Sequence, residues 1–101
     1  MGNKEEGKQE RRHYFYVLVC ADGSFYAGYT TDPVRREKEH NAGIGSKYTK
    51  SRRPVNMIHY ESFETRSDAT KAEAAFKKLR RAEKEKRLSK WQKKNKEVQE
   101  K

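Results

Sequence analysis

A single cysteine, Cys20, has no partner for an internal disulfide, so a disulfide-framed scaffold is excluded and a reducing compartment is expected. No apolar run approaches the ~18 residues needed to cross a bilayer. The N-terminal stretch MGNKEEGKQERR lacks the apolar centre of a secretory signal, and Glu6 stands where a myristoylation signal needs Ser or Thr. His13, His40, His59 and Cys20 have no zinc-ligand spacing. Hydrophobic residues are also scarce, 32% against 40% charged, so the whole chain cannot pack and the core must come from a shorter segment. These absences describe a cytoplasmic protein with no membrane association, in a chain of 101 residues, the length of one domain. A monomer is expected.

Charge is plentiful but uneven. Residues 1–12 carry four basic and three acidic groups, residues 13–76 nine and eight, and residues 77–101 twelve and four. A segment of net +8 thus follows a nearly neutral body, a gradient that suits a polyanion such as nucleic acid or a lysine-rich solubilising tail. The pattern divides the chain into a disordered tail over 1–12, a domain over 13–81 and a basic helix and tail over 82–101.

Within the domain, Tyr14–Cys20 and Phe25–Thr30 read as strands about the turn signal Asp22-Gly23. Asp32 as N-cap, Pro33 at the first position and Gly43 after the end frame a helix. A basic loop, Gly43–Arg53, leads to Pro54 and a third strand over Val55–Phe63. Ser67 is expected to cap a second helix with an apolar stripe at Ala69, Ala72, Phe76 and Leu79. Leu88 and Trp91, three apart, can dock a last helix, after which the chain is expected to fray. The order ββαβαα describes an α/β (α+β) domain, a three-stranded sheet covered by helices.

The hairpin register decides which aromatic rings share a face. A two-residue turn would put Tyr16 and Tyr26 on opposite faces. A three-residue turn with Gly23 left-handed instead gathers Phe15, Val17, Val19, Phe25, Ala27 and Tyr29 on one apolar face. Tyr16 and Tyr26 then share the other face as diagonal neighbours, with Gly28 opposite Tyr16 opening space. Polarity sorts far better in the second register, which is therefore expected.

Arg36 and His40, four apart, share a helix face. Glu73 lies beside the apolar stripe of the second helix, where a carboxylate needs a partner: an arginine in an ion pair, or a hard divalent cation. Two phenols, an arginine able to fork onto phosphate, a histidine and a carboxylate make a candidate site for an anionic substrate.

These residues resemble the GIY-YIG nuclease superfamily, over roughly Tyr14 to Arg81. Tyr14-Phe15-Tyr16 stands at the first signature triplet and Tyr26-Ala27-Gly28 at the second. Arg36 and His40 follow in YAGYTTDPVRREKEHN, and Glu73 stands at the metal-ligand glutamate. HNAGIGSKYTKSRRPV is similar to a small single-domain bacterial branch and to eukaryotic structure-specific endonucleases. Tyr14 replaces the first glycine, and Lys84-Glu85-Lys86 stands where several family nucleases carry a late asparagine.

The resemblance implies a nuclease using one divalent ion, Mg²⁺ or Mn²⁺, held by Glu73, with DNA rather than RNA as partner. Arg36 would stabilise the phosphate, and one of Tyr16 and Tyr26 would help to activate the attacking water, its phenol made acidic by Arg36, His40 and the metal. Lys47, Tyr48, Lys50, Arg52 and Arg53, with Lys90, Lys93 and Lys94, would hold phosphates without reading sequence. Tyr48 would stack on an unpaired base or anchor the loop. A non-catalytic nucleic-acid-binding module that keeps the fold is the alternative, and an adaptor docking through Trp91 a third.

Overall fold

The computed structural model describes residues 12–99, with side chains to residue 92; the expected tail over residues 1–11 lies outside them. Strands β1 (His13–Val19), β2 (Phe25–Thr30) and β3 (Asn56–Phe63) form one antiparallel sheet in the order β2-β1-β3. Helix α1 spans Pro33–Asn41, α2 Lys47–Lys50, α3 Arg66–Lys77 and α4 Arg81–Gln99. No helix among the described residues is long and apolar enough to cross a membrane.

The bulged hairpin is the observed one. Tyr14 pairs with Thr30, Tyr16 with Gly28 and Leu18 with Tyr26. Gly23 sits at φ 85°, the left-handed region that glycine enters without steric cost. Ser24 closes the turn by donating N–H and O–H to the Asp22 carboxylate at 3.0 and 2.6 Å.

This register sorts the sheet into two cores. On one face Phe15, Val17 and Ala27 pack with Phe76 of α3 and Leu88 of α4. Trp91 closes that side, stacked on His59 of β3 with ring centroids 3.6 Å apart. On the other face Tyr16, Leu18, Cys20 and Val55 are buried, with Tyr26 and Met57 beside them. There α1 is fastened to the sheet by three bonds. The Asn41 amide accepts from Val55 N–H (2.8 Å) and donates to Val55 C=O (2.9 Å), and Glu37 accepts from Met57 N–H (2.8 Å). The result is three layers, with α1 and α2 on one side of the sheet and α3 and α4 on the other.

Two local expectations are corrected. Thr65, not Ser67, caps α3, accepting from Asp68 N–H at 3.0 Å; both are good capping residues, and the chain leaves extended geometry at Thr65. The 43–53 loop contains the helical turn α2, because Ser46 caps it by accepting from Thr49 N–H at 3.1 Å. Asp32 caps α1 as expected, and Gly43 follows its C-cap at φ 85°. Helix α4 docks through Leu88 and Trp91 but runs on to Gln99 rather than fraying after Trp91.

Candidate functional site

Tyr16 lies at the centre of the site, and glycine makes room for it. A Cβ on Gly28, its cross-strand partner, would stand 2.5 Å from the Tyr16 hydroxyl and 2.6 Å from Cζ. The phenol occupies that space and is buried, with 1% of its surface exposed. Its hydroxyl meets His40 Nε2 at 2.9 Å and accepts a long bond, 3.4 Å, from Arg36 Nε. Arg36 and His40, one helical turn apart on α1, thus converge on one oxygen.

Arg36 is held by its neighbours. Nη1 donates to Glu39 at 2.9 Å and Nη2 to the Gly45 carbonyl at 3.0 Å. Among the described residues three of its five N–H groups are engaged, which leaves two for a phosphate. His40 is fully buried on an otherwise polar helix. Its Nδ1 meets the Thr49 hydroxyl at 2.7 Å. Gly45 passes so close to the imidazole that a Cβ there would come within 2.6 Å of Cγ.

Burial governs the protonation of the pair. It pushes the Tyr16 phenol up to about 12, and the bond and positive charge of Arg36 only partly oppose it. Arg36 lowers the Tyr16 phenol, as expected, but by less than burial raises it. Burial, and then Arg36, lower His40 to about 4, so the imidazole is neutral at pH 7 and supplies no cationic help.

Tyr26 lies on the same face, half-buried, its ring centroid 5.2 Å from that of His40 and 6.5 Å from that of Tyr16. Tyr48 of α2 stacks on Tyr26 at 5.9 Å and carries the Arg52 guanidinium 3.8 Å over its ring. Arg52 is itself tied to Asp22 in the hairpin turn at 3.1 Å. Of the two roles expected for Tyr48, the contacts are those of a loop anchor.

Glu73 projects from α3, in the opposite layer. Its carboxylate is largely buried, 19% exposed, and pairs with Lys77 Nζ at 2.8 Å. Its charge is among the influences that raise Tyr16. Among the described residues no group of three or more His, Cys, Asp or Glu converges as a metal cage. One carboxylate completed by water and phosphate oxygens is nevertheless a donor set that Mg²⁺ accepts, and Lys77, half-exposed, can yield its place. Glu73 fits such an ion.

The basic residues fall into two regions. Lys47 and Lys50 are exposed on α2, whereas Arg53 caps backbone carbonyls, Lys50 at 2.9 Å and Asn41 at 3.3 Å. Lys90 lies on α4 with Leu79, Glu83, Lys86 and Arg87 around a cavity of about 300 Å³. Since α4 packs on the Phe15 face and α2 on the Tyr16 face, the structure does not bring Lys90 to the α2 loop. The side chains of Lys93 and Lys94 lie outside the described residues. Gly45, Ser46 and Thr49 were not among the expected site residues; their proximity to His40 arises only from the path of the loop.

Comparison with known proteins gives a consistent result. Residues 12–97 match the family described as the GIY-YIG catalytic domain. The UPF0213 protein lin0209 of Listeria innocua is 70% identical over 77 residues, 76% of this chain and 86% of that one. The UPF0213 protein YazA of Bacillus subtilis is 54% identical over 77 residues, 76% and 78% of the two chains. The solution structure of the Enterococcus faecalis protein EF2693 is similar at a TM-score of 0.55, with 60% identity over 91% of this chain and 92% of that one.

Proposed function

The chain belongs to the GIY-YIG family, and from that premise we propose that it is a divalent-metal-dependent nuclease hydrolysing phosphodiester bonds in DNA, branched or single-stranded. The observation that carries this reading is the convergence of His40 and Arg36 on the buried Tyr16 hydroxyl, with Tyr26 half-buried beside them. The family membership and the basic loop support nucleic acid as substrate; the similarity of HNAGIGSKYTKSRRPV to structure-specific endonucleases supports DNA.

Each residue has a role that its surroundings permit. Arg36 offers to the scissile phosphate the two N–H groups that no described residue engages, pinned in place by Glu39, Gly45 and Tyr16. Tyr26 orients the attacking water and accepts its proton as its own leaves to solvent, so no free phenolate need accumulate. Tyr16 holds His40 and Arg36 in register. Glu73 would hold the ion, which when bound offsets charge building on the phosphate. Lys47 and Lys50 contact flanking phosphates, with Arg52 and Arg53 shaping the loop that presents them.

The test is cleavage of labelled single-stranded, duplex and branched DNA and of single-stranded RNA, in Mg²⁺, Mn²⁺ or EDTA. Ion-dependent cutting of DNA that Tyr26→Phe and Glu73→Ala both abolish supports the nuclease. Binding without cutting in either ion selects the non-catalytic module instead.

A further inference from the structure

The hydroxyl chain on the far side of His40 has no part in the roles assigned above. Thr49 is fully buried, and its Oγ1 lies 2.7 Å from His40 Nδ1, 2.9 Å from Ser46 Oγ and 3.4 Å from the Ser46 carbonyl. We propose that Thr49, backed by Ser46, is a positioning residue that accepts the Nδ1–H of His40 and so holds the ring where Nε2 receives the Tyr16 hydroxyl proton.

The assignment follows from what each partner can donate. Among the described residues the Tyr16 hydroxyl meets two groups, Arg36 Nε and His40 Nε2. A guanidinium N–H only donates, so the buried Tyr16 O–H has one acceptor, His40 Nε2, which must then be unprotonated. His40 is neutral at pH 7, its pKa lowered to about 4 by burial, so its single proton sits on Nδ1. That proton is donated to Thr49 Oγ1, and Thr49 passes its own to Ser46, at Oγ or the carbonyl. In the opposite tautomer Thr49 would donate to Nδ1 and Nε2–H to Tyr16. The Tyr16 oxygen would then face two donors while its buried O–H had no acceptor. The first arrangement satisfies the whole chain from Ser46 to Arg36, and the second leaves its middle unpaired.

Gly45 adds an independent reason to place this role in the loop. Its backbone lies against the imidazole where no side chain fits, and its carbonyl accepts from Arg36. The segment from Gly45 to Thr49 therefore sets both the ring and the arginine. Replacing the Thr49 hydroxyl by a methyl removes the acceptor for Nδ1–H, so the tautomer that Tyr16 and Arg36 require persists while the ring loses its anchor on the loop side.

The kinetic arm of the test rests on the nuclease reading above; the spectroscopic arm does not. Long-range ¹⁵N–¹H correlation spectra of the ¹⁵N-labelled full chain at pH 7 report which His40 nitrogen carries the proton. The expected result is Nδ1–H in the wild-type protein, in Thr49→Ser and in Thr49→Val, with its proton resonance moved upfield, as a lost hydrogen bond requires, in Thr49→Val alone. Cleavage by Thr49→Val should fall about tenfold in kcat with little change in KM, and Thr49→Ser should restore it. If Thr49→Val does not fold, Thr49→Cys, whose sulfur accepts weakly, gives the same readout. An Nε2–H tautomer in the wild-type spectrum overturns the proposal, and so does an unmoved Nδ1–H resonance in the folded Val or Cys variant. If no form of the protein cleaves in either ion, the nuclease reading fails while the tautomer spectra still decide the role of Thr49.

Discussion

Acidification from pH 8 to pH 5 should remove about 2 kcal/mol of stability through His40 alone. The folded chain holds this imidazole at about 4, because burial and Arg36 oppose its charged form, whereas the unfolded chain releases it to 6.5. Between those values the unfolded state binds the proton and the folded state does not. Stability is therefore fully present above pH 6.5 and is lost as pH falls toward 4. At about 1.36 kcal/mol per pH unit the full interval corresponds to about 3 kcal/mol, and pH 5 lies most of the way through it. For a domain of this size the loss at pH 5 lowers Tm by roughly 8–16 °C. Urea unfolding at a series of pH values measures it, with His40→Gln as the comparison, since glutamine takes up no proton. Carboxylates contribute their own acid slope to both proteins, so the difference between them isolates His40. Equal slopes in the two proteins would refute the argument.

Other consequences follow from particular residues. Gly28→Ala drives a methyl into the Tyr16 phenol, which hydrogen bonds hold in place; a loss of about 1–3 kcal/mol is expected by calorimetry, together with most of the cleavage. An unchanged Tm would mean that the ring moves freely. Gly45→Ala should displace the imidazole and shift the His40 resonances, and an unshifted spectrum would contradict the close approach. Lys47→Gln with Lys50→Gln should flatten the dependence of log K on log salt by about 0.9 for each phosphate that the lysines no longer neutralise. A similar change from Lys90→Gln would show the same nucleic acid reaching α4 in the opposite layer.

The backbone of the site was legible in the sequence because polarity has only one good sorting in the hairpin. Phe15, Val17 and Ala27 fall on one face only with a three-residue turn, and that register carries Tyr16 to Tyr26 and Gly28. The helix bearing Arg36 and His40 was legible from Asp32 and Pro33, which fix its start. Protonation was not legible, since it depends on burial that no spacing reveals. Tyr16 has an arginine beside it and is still raised, because enclosure outweighs that charge. Thr49 escaped notice because it lies nine residues from His40, with two glycines and a capping serine between them. Thr65 caps α3 in place of Ser67 because two good caps stand within three residues, and spacing alone does not choose between them.

The nuclease reading is tested most directly by cleavage of branched and single-stranded DNA by the wild-type chain, Glu73→Ala and Tyr26→Phe, with and without Mg²⁺ or Mn²⁺. Cutting that requires the ion and disappears in both variants, each still folded and binding DNA, is the predicted result. Undiminished cutting by folded Glu73→Ala, or binding without cutting by the wild-type chain in both ions, would contradict it.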